Sequence, residues 1–320
     1  MRPFLVLLLC FACSAPVRAQ EPASVSGFVT DAQTGETLLL ATVRLAGTGH
    51  AAATNSAGYY TVTGIEPGHY TLVATYVGYS DFEQEIDLAP GEARRVEIAM
   101  QPASVEIGEV VVTSKREEEE RRALGVSQMT TESVKQLPAV LEPDLFRALQ
   151  LLPGVKAASD FSSGLYIRGG SPDQTLILLD RNTVYNPSHF FGFFSPFNPD
   201  AIKDVRLYKG GYPAPYGGRL GSVLEVYNKE GNRNRVAGGL SIGMLASRAY
   251  VEGPYSRGSW MLAVRRSTID PLLSALRAAD VDGIPNLFYF YDVNAKVNLD
   301  ASRDDRFSVS VYTGKDRLDV

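Results

Sequence analysis

The sequence predicts a mainly β chain in three parts: a small β-sandwich, a mixed α+β segment, and a run of antiparallel strands. Three observations carry this. Short alternating runs broken by Gly, Pro, Asn and Asp clusters recur through residues 23–101. Helical and strand patterns interleave through residues 130–230. From Val236 the periodicity becomes strictly two, with one apolar face and one small or polar face.

The chain opens on an export signal, residues 1–19. Met1-Arg2 is a short charged start, Pro3 to Cys13 an apolar core, and Val17-Arg18-Ala19 sets small residues before a cut at Gln20. A lipoprotein signal fits less well, since Leu9 before Cys10 is bulky and Cys10-Phe11-Ala12 before Cys13 lacks an aliphatic start. Both cysteines lie in this segment, so a disulfide scaffold, a thiol nucleophile and a cysteine metal site are excluded from the exported chain. The 320 residues suggest two or three units, and a hydrophobic content of 45% supports a core. A net charge of −5 with mixed signs points away from nucleic acid. No later run reaches the roughly 18 apolar residues of a membrane helix. A barrel stays compatible with a mean hydropathy of −0.06, because alternating strands average out.

In the first part the runs are Val25-Gly27-Val29, Val43-Leu45, Tyr70-Leu72-Ala74-Tyr76, Ile86-Leu88 and Val96-Ile98-Met100, with turns at Asp31 to Gly35, Asn55 to Gly58, Pro67-Gly68 and Pro90-Gly91. That spacing predicts a sandwich over residues 22–101. Residues 102–122 change character: Ser104 to Ser114 is apolar and β-branched, whereas Lys115 to Arg122 is almost wholly charged, a solvated linker or frayed helix.

In residues 123–231, Thr131 to Leu137 reads as a short helix. A second starts at Pro143, carries Leu145, Phe146, Leu149 and Leu152 on one face, and ends at Pro153-Gly154. Leu165-Ile167, Thr175 to Asp180, Ile202 to Tyr208 and Val223 to Tyr227 read as strands. In residues 232–320, Trp260, Leu262 and Val264 alternate with Met261, Ala263 and Arg265. Leu287, Tyr289, Tyr291, Val293, Ala295, Val297 and Leu299 alternate with Phe288, Phe290, Asp292, Asn294, Lys296 and Asn298. A transmembrane barrel and a soluble sheet with one packed face both fit this alternation. At about 9–11 residues per crossing the segment holds four or five strands. Val236 to Gly253 reads as a hairpin turning near Ser247, Pro254–Gly258 and Ser302–Asp305 as short turns, and Asp270 to Asn286 as a longer loop.

Several motifs carry a resemblance. Gly27-Phe28-Val29-Thr30-Asp31, Ala57-Gly58-Tyr59-Tyr60, Pro67-Gly68-His69-Tyr70 and Gly78-Tyr79 resemble a carboxypeptidase-regulatory-like domain, implying a transthyretin-like sandwich without peptidase activity. Ile107-Gly108-Glu109-Val110-Val111-Val112-Thr113 resembles a TonB box. Leu151-Leu152-Pro153-Gly154-Val155, Ile167-Arg168-Gly169-Gly170, Ile177 to Asp180, Asp204 to Gly211, Tyr216-Gly217-Gly218 and Gly221 to Leu224 resemble plug motifs. In this order they resemble the start of a TonB-dependent outer-membrane receptor: signal, regulatory-like domain, box, α+β plug, and opening strands of a transmembrane antiparallel β-barrel. Where the family has Gly after Asp180 this chain has Arg181, which resists the positive φ that Gly permits. The family barrel has more strands than the segment holds, and an open lipid-facing sheet leaves unpaired backbone, so a fragment is expected.

The resemblance implies an outer-membrane active-transport receptor with its N-terminal domain in the periplasm. It binds an external solute and is energised when the periplasmic C-terminal domain of TonB grips Glu109, Val110, Val111, Val112 and Thr113. The other reading of this segment is a last sandwich strand, but Val96 to Met100 already supplies one. Implied plug residues are Arg168, Gly169, Gly170, Asp180, Lys209, Gly210, Tyr216, Gly217 and Gly218, with Arg168 a candidate partner of barrel carboxylates or else a surface arginine. Asn186, His189, Phe190, Phe191, Phe193, Phe194 and Phe197 form an aromatic loop that either contacts solute or packs the plug; phenylalanine lacks a polar handle, which favours packing. Expected partners are TonB, outer-membrane lipid, a small solute and, as a further candidate, a surface lipoprotein; nucleic acid is not among them. His50, His69 and His189 lack metal-ligand spacing, Gly47 to Ala52 fits a dinucleotide loop only outside its required context, and Asp280 to Gly283 lacks the rest of a calcium loop. No metal, cofactor or catalytic residue is therefore expected. The alternative function is a non-transporting carbohydrate-binding or adhesion protein with a soluble sheet.

Overall fold

The computed structural model describes residues 21–103, 125–136, 142–157, 164–281, 287–302 and 305–319. The signal segment and the box residues Glu109, Val110, Val111, Val112 and Thr113 lie outside them.

The first part is a two-sheet sandwich. One sheet orders β4 (Tyr59–Ile65), β1 (Ala23–Asp31) and β7 (Ala93–Arg95), with β8 (Ile98–Met100) also on β1; the other orders β3 (Ala51–Ala53), β2 (Thr42–Leu45), β5 (Gly68–Thr75) and β6 (Phe82–Leu88). Alternate residues Val25, Val29, Val43, Leu45, Leu72, Ile86 and Ile98 meet between the sheets. The last strand is broken into β7 and β8, both parallel to β1. Gly27 permits the break: a Cβ there would stand 1.9 Å from the Val96 carbonyl oxygen.

The second part is a five-stranded sheet in the order β13 (Asn182–Thr183), β12 (Thr175–Leu179), β15 (Ser222–Asn228), β14 (Ile202–Tyr208), β9 (Val126–Thr130). β12 lies parallel to β15 and reads as a continuous apolar run because both faces are covered. Helices α1 (Thr131–Gln136) and α2 (Leu145–Gln150) flank the sheet, and a two-stranded ribbon, β10 (Val155–Lys156) with β11 (Tyr166–Ile167), follows α2. Asp144 caps α2, accepting from the backbone N–H of Phe146 and Arg147, while its other oxygen accepts from Ser195 N–H at 2.8 Å. Leu145, Phe146, Leu149, Val205, Leu207, Leu224 and Phe197 form one core. The edge strand β9 escapes the sequence pattern because Val126-Ser127-Gln128-Met129-Thr130 is short and largely polar.

The third part is an antiparallel meander of five strands: β16 (Ala237–Ile242), β17 (Ala246–Tyr255), β18 (Gly258–Ser267), β19 (Leu287–Asp300) and β20 (Arg306–Asp319). The first hairpin pairs Ile242 with Ser247, so it turns slightly before the expected place. Leu240, Ile242, Leu262, Val264, Val297, Val309 and Val311 point away from the molecule and are exposed. Met261, Ala263, Arg265, Phe290, Asp292 and Asn294 point inward onto the second part and are buried. An apolar outer face over a polar, filled inner face is the pattern of a wall facing lipid. The 14 residues of β19 reach about 45 Å, or about 35 Å of height at a barrel tilt, enough for a bilayer core of about 30 Å. Helix α3 (Asp270–Ala278) lies at one end of this sheet, and the regulatory-like sandwich meets the other. Gly231 opens the sheet at a point where only glycine fits: its φ is +92° and a Cβ would stand 2.3 Å from the Trp260 carbonyl oxygen.

Candidate functional site

The aromatic loop and three wall strands form a buried polar junction. His189 stacks on Phe290 with centroids 4.7 Å apart. Its Nε2 lies 2.6 Å from Asp292 Oδ1 on β19, and its Nδ1 lies 2.6 Å from Asp316 Oδ1 on β20. A neutral imidazole has one N–H, so two carboxylate partners select the imidazolium. Burial opposes that charge, but the hydrogen bond and charge of Asp292 outweigh it and raise the His189 pKa above its ordinary value. Arg265 completes the junction: Nε and Nη2 lie 2.8 and 2.6 Å from Asp292 Oδ2, and Nη2 donates to the Ser195 carbonyl at 2.7 Å. The Tyr312 hydroxyl donates to Asp292 Oδ1 at 3.1 Å. Arg265 and Asp292 are both 0% exposed in their side chains. The arrangement has no nucleophile beside a base; it fastens one body to another.

Phe194 is buried against Phe290, and Phe190 lies 4.3 Å from Phe288 between centroids. Phe193 is half-buried under the Arg147 guanidinium. Asn186 is exposed. The side chain of Phe191 lies outside what the structure describes. Leu273 of α3 packs on the same cluster.

A second fastening lies at the turn from β12 to β13. Asp180 and Arg181 have φ of +46° and +69°, between the paired residues Leu179 and Asn182. Positive φ at both central positions is the geometry of a two-residue primed turn, so Arg181 holds the conformation that glycine would adopt without strain. The Asp180 carboxylate accepts from Asn228 N–H at 3.0 Å, Asn228 Nδ2 at 2.9 Å, Lys296 Nζ at 3.2 Å and Ser310 Oγ at 2.5 Å, joining plug to wall.

Other motif residues converge away from this junction. Gly154 and Gly210 both lie against the Arg168 side chain, with Gly169 next in chain. Arg168 N–H donates to the Gly154 carbonyl at 2.9 Å, and Gly170 N–H to the Ile167 carbonyl. Lys209 Nζ donates to the Pro153 carbonyl at 2.9 Å; burial, then the charge of Arg168, lowers its pKa. Tyr216 donates to Glu225 at 2.7 Å and leads into Gly217 and Gly218.

The sandwich seats on the plug through residues to which the sequence assigned no such role. Tyr76 donates to the Asp204 carboxylate, and Lys203 Nζ to the Thr37 carbonyl. Glu36 Oε1 accepts from Glu230 and Gly231 N–H at 2.6 and 2.9 Å. Burial pushes the Asp204 carboxyl up, whereas the charges of Lys203 and Arg306 overcome burial and pull Glu230 down. Among the described residues no group of three His, Cys, Asp or Glu is placed to hold a metal, and no helix is long and apolar enough to cross a membrane.

A sandwich seated on a plug, itself fastened against a sheet with an apolar outer face, matches one class of protein: plugged β-barrels. The family profile described as CarboxypepD_reg-like domain matches residues 25–112, and that of the TonB-dependent Receptor Plug Domain matches residues 122–223. The two matches give the chain a regulatory-like domain followed by a TonB-dependent receptor plug domain. The chain is 27% identical over 177 residues to the ferric enterobactin receptor PirA of Pseudomonas aeruginosa, covering 50% of this chain and 24% of that protein. It is 28% identical over 144 residues to a probable TonB-dependent siderophore receptor PirA of Acinetobacter baumannii, covering 39% and 19%. The chain thus spans about a quarter or less of these curated relatives. Among solved structures, the siderophore receptor PirA from Pseudomonas aeruginosa aligns with TM-score 0.44 at 19% identity, over 61% of this chain and 34% of that one. The outer membrane transporter YddB from Escherichia coli aligns with TM-score 0.45 at 13% identity, over 61% and 33%.

Proposed function

We propose that this chain is the periplasmic domain, plug and first wall strands of an outer-membrane receptor that imports an external solute. The observation that carries it is the plug–wall junction: His189, Asp292 and Arg265 seal a polar plug against strands whose outer face is apolar. A soluble sheet would have no reason to leave Leu240, Ile242, Val309 and Val311 uncovered. The regulatory-like domain and the turns beside it face the periplasm, and α3 with the aromatic loop faces outward. Energy enters when the C-terminal domain of TonB grips the segment near Val110–Val112, adding an extended strand to its own sheet edge. The names of the relatives make a ferric siderophore the first solute to test; a surface lipoprotein is a further candidate partner.

The test is Val111→Pro in the intact protein, with ferric enterobactin as probe. Proline removes a backbone donor and blocks strand addition. Surface binding is expected to persist while energised uptake is lost; uptake unchanged from wild type overturns the box.

A further inference from the structure

Where sandwich, plug and wall meet, they enclose a cleft of about 500 Å³. Ala57 comes from the sandwich, Asp180, Arg181 and Glu230 from the plug, and Lys296 and Arg306 from the wall. The volume is within the range of small-molecule sites, about 300–1,000 Å³. Apart from Ala57, Val309 and the Tyr227 ring the lining is polar, which suits a hydrophilic ligand rather than an apolar one. Arg306 donates to the Ala57 carbonyl at 3.4 Å, so the cleft lies at the sandwich end of the wall, away from α3 and the aromatic loop.

The charges lining the cleft do not cancel. Its cations are Arg181, Lys296 and Arg306, and its carboxylates are Asp180 and Glu230. Asp180 holds Lys296 at 3.2 Å; Glu230 lies 4.0 Å from Arg306, whose Nε also donates to Asp300 at 2.8 Å. These pairs fix two of the cations in place, with side chains 12% and 21% exposed. Arg181 is the odd charge. Among the described residues it pairs with no carboxylate, and its guanidinium lies beside the Tyr227 hydroxyl. Its backbone is strained as well: φ is +69°, next to Asp180 at +46°, a conformation that glycine adopts freely and arginine does not. An exposed residue that holds such a conformation without an ion pair to repay it points to function rather than to stability.

We propose that this cleft binds an oxyanion, the carboxylate or phosphate group of a hydrophilic solute, with Arg181 as its main ligand and Lys296 and Arg306 as preplaced neighbours. A planar guanidinium presents parallel N–H donors to two oxygens of one such group. Half-buried cations act on an anion with less screening than cations in open water. Lys296 and Arg306 are already anchored, so little side-chain freedom is lost when the anion arrives. The role of the cleft as an exit-side site, holding solute between plug and periplasm, rests on the import reading; the binding does not.

The experiment is equilibrium dialysis of radiolabelled citrate and, in a separate arm, inorganic phosphate against the intact protein in detergent at low ionic strength. Saturable binding is expected, and the probe that binds more tightly names the group as carboxylate or phosphate. Arg181→Gly should weaken binding at least tenfold while the urea midpoint stays at or above that of wild type. Arg181→Lys, which keeps the charge but not the fork, should fall between the two. Arg94→Gln removes a cation from the sandwich outside the cleft and should leave binding as it is. No saturable binding of either probe, or equal losses in Arg181→Gly and Arg94→Gln, overturns the site. The dialysis needs no energised uptake, so a failure of the import reading leaves these affinities unchanged, and a failure of the site leaves import to be judged by Val111→Pro alone.

Discussion

His189 Nε2 and Asp292 Oδ1 meet at 2.6 Å across the boundary between plug and wall, with Asp316 on the other ring nitrogen. From β18 the junction receives Arg265, from β19 Asp292, and from β20 Asp316 and the Tyr312 hydroxyl. The His189 pKa is raised above 6.5, so its contribution to seating is complete below 6.5 and lost as pH rises through the higher value. We expect the urea concentration at which trypsin reaches the plug to fall between pH 6 and pH 9. His189→Gln should flatten that dependence. A wild-type profile as flat as the variant's would mean that the ring carries no charge here.

Arg265 and Asp292 form the most deeply buried ion pair of the junction, both 0% exposed. Removing one partner strands the other, at about 3–5 kcal/mol. Arg265→Met alone should therefore lower seating stability by that amount. Arg265→Met with Asp292→Leu should cost clearly less than the sum of the two single changes, as read from a double-mutant cycle in urea. Additive losses would show that the two side chains act through separate partners.

At the β12–β13 turn the departure from glycine has a measurable consequence. Left-handed φ costs a non-glycine residue about 1–2 kcal/mol, partly offset by the greater unfolded-state freedom of glycine. Arg181→Gly should raise plug stability by about 0.5–1 kcal/mol, with Asp180 keeping its bonds to Asn228, Lys296 and Ser310. Lower stability would assign Arg181 a tertiary contact worth more than its strain, with the neighbouring Tyr227 the first place to look.

The parts of the fold with a strict period were legible. From Val236 onward each residue declares its side by alternation, and Met261, Ala263 and Arg265 do face inward. The polar junction was legible only in part. His189 stood out beside the phenylalanines, but Arg265 and Asp292 looked like ordinary positions of the small or polar face, alongside Asn294, Lys296 and Asn298. Lys203 and Glu36 gave no signal, and Asp204 and Tyr76 were read only as parts of a motif and of a strand, because a polar side chain at such a position normally faces water. Only a second domain seated on β14 turns that face into an interior. The strand β9 was missed for a related reason: its place is fixed by pairing with β14 rather than by its own composition.

The aromatic loop divides into two kinds of residue, and the division can be measured. Phe194 is 3% exposed against Phe290, so Phe194→Ala should cost about 3–5 kcal/mol of seating stability. Phe193 is half-buried, with one face toward Phe194 and the Arg147 guanidinium over its ring. If it contacts solute, Phe193→Ala should weaken surface binding of ferric enterobactin several-fold while the urea profile stays near that of wild type. A Phe193→Ala protein that loses stability as Phe194→Ala does, with binding per folded receptor unchanged, would assign the whole loop to packing and move the solute contacts to other residues.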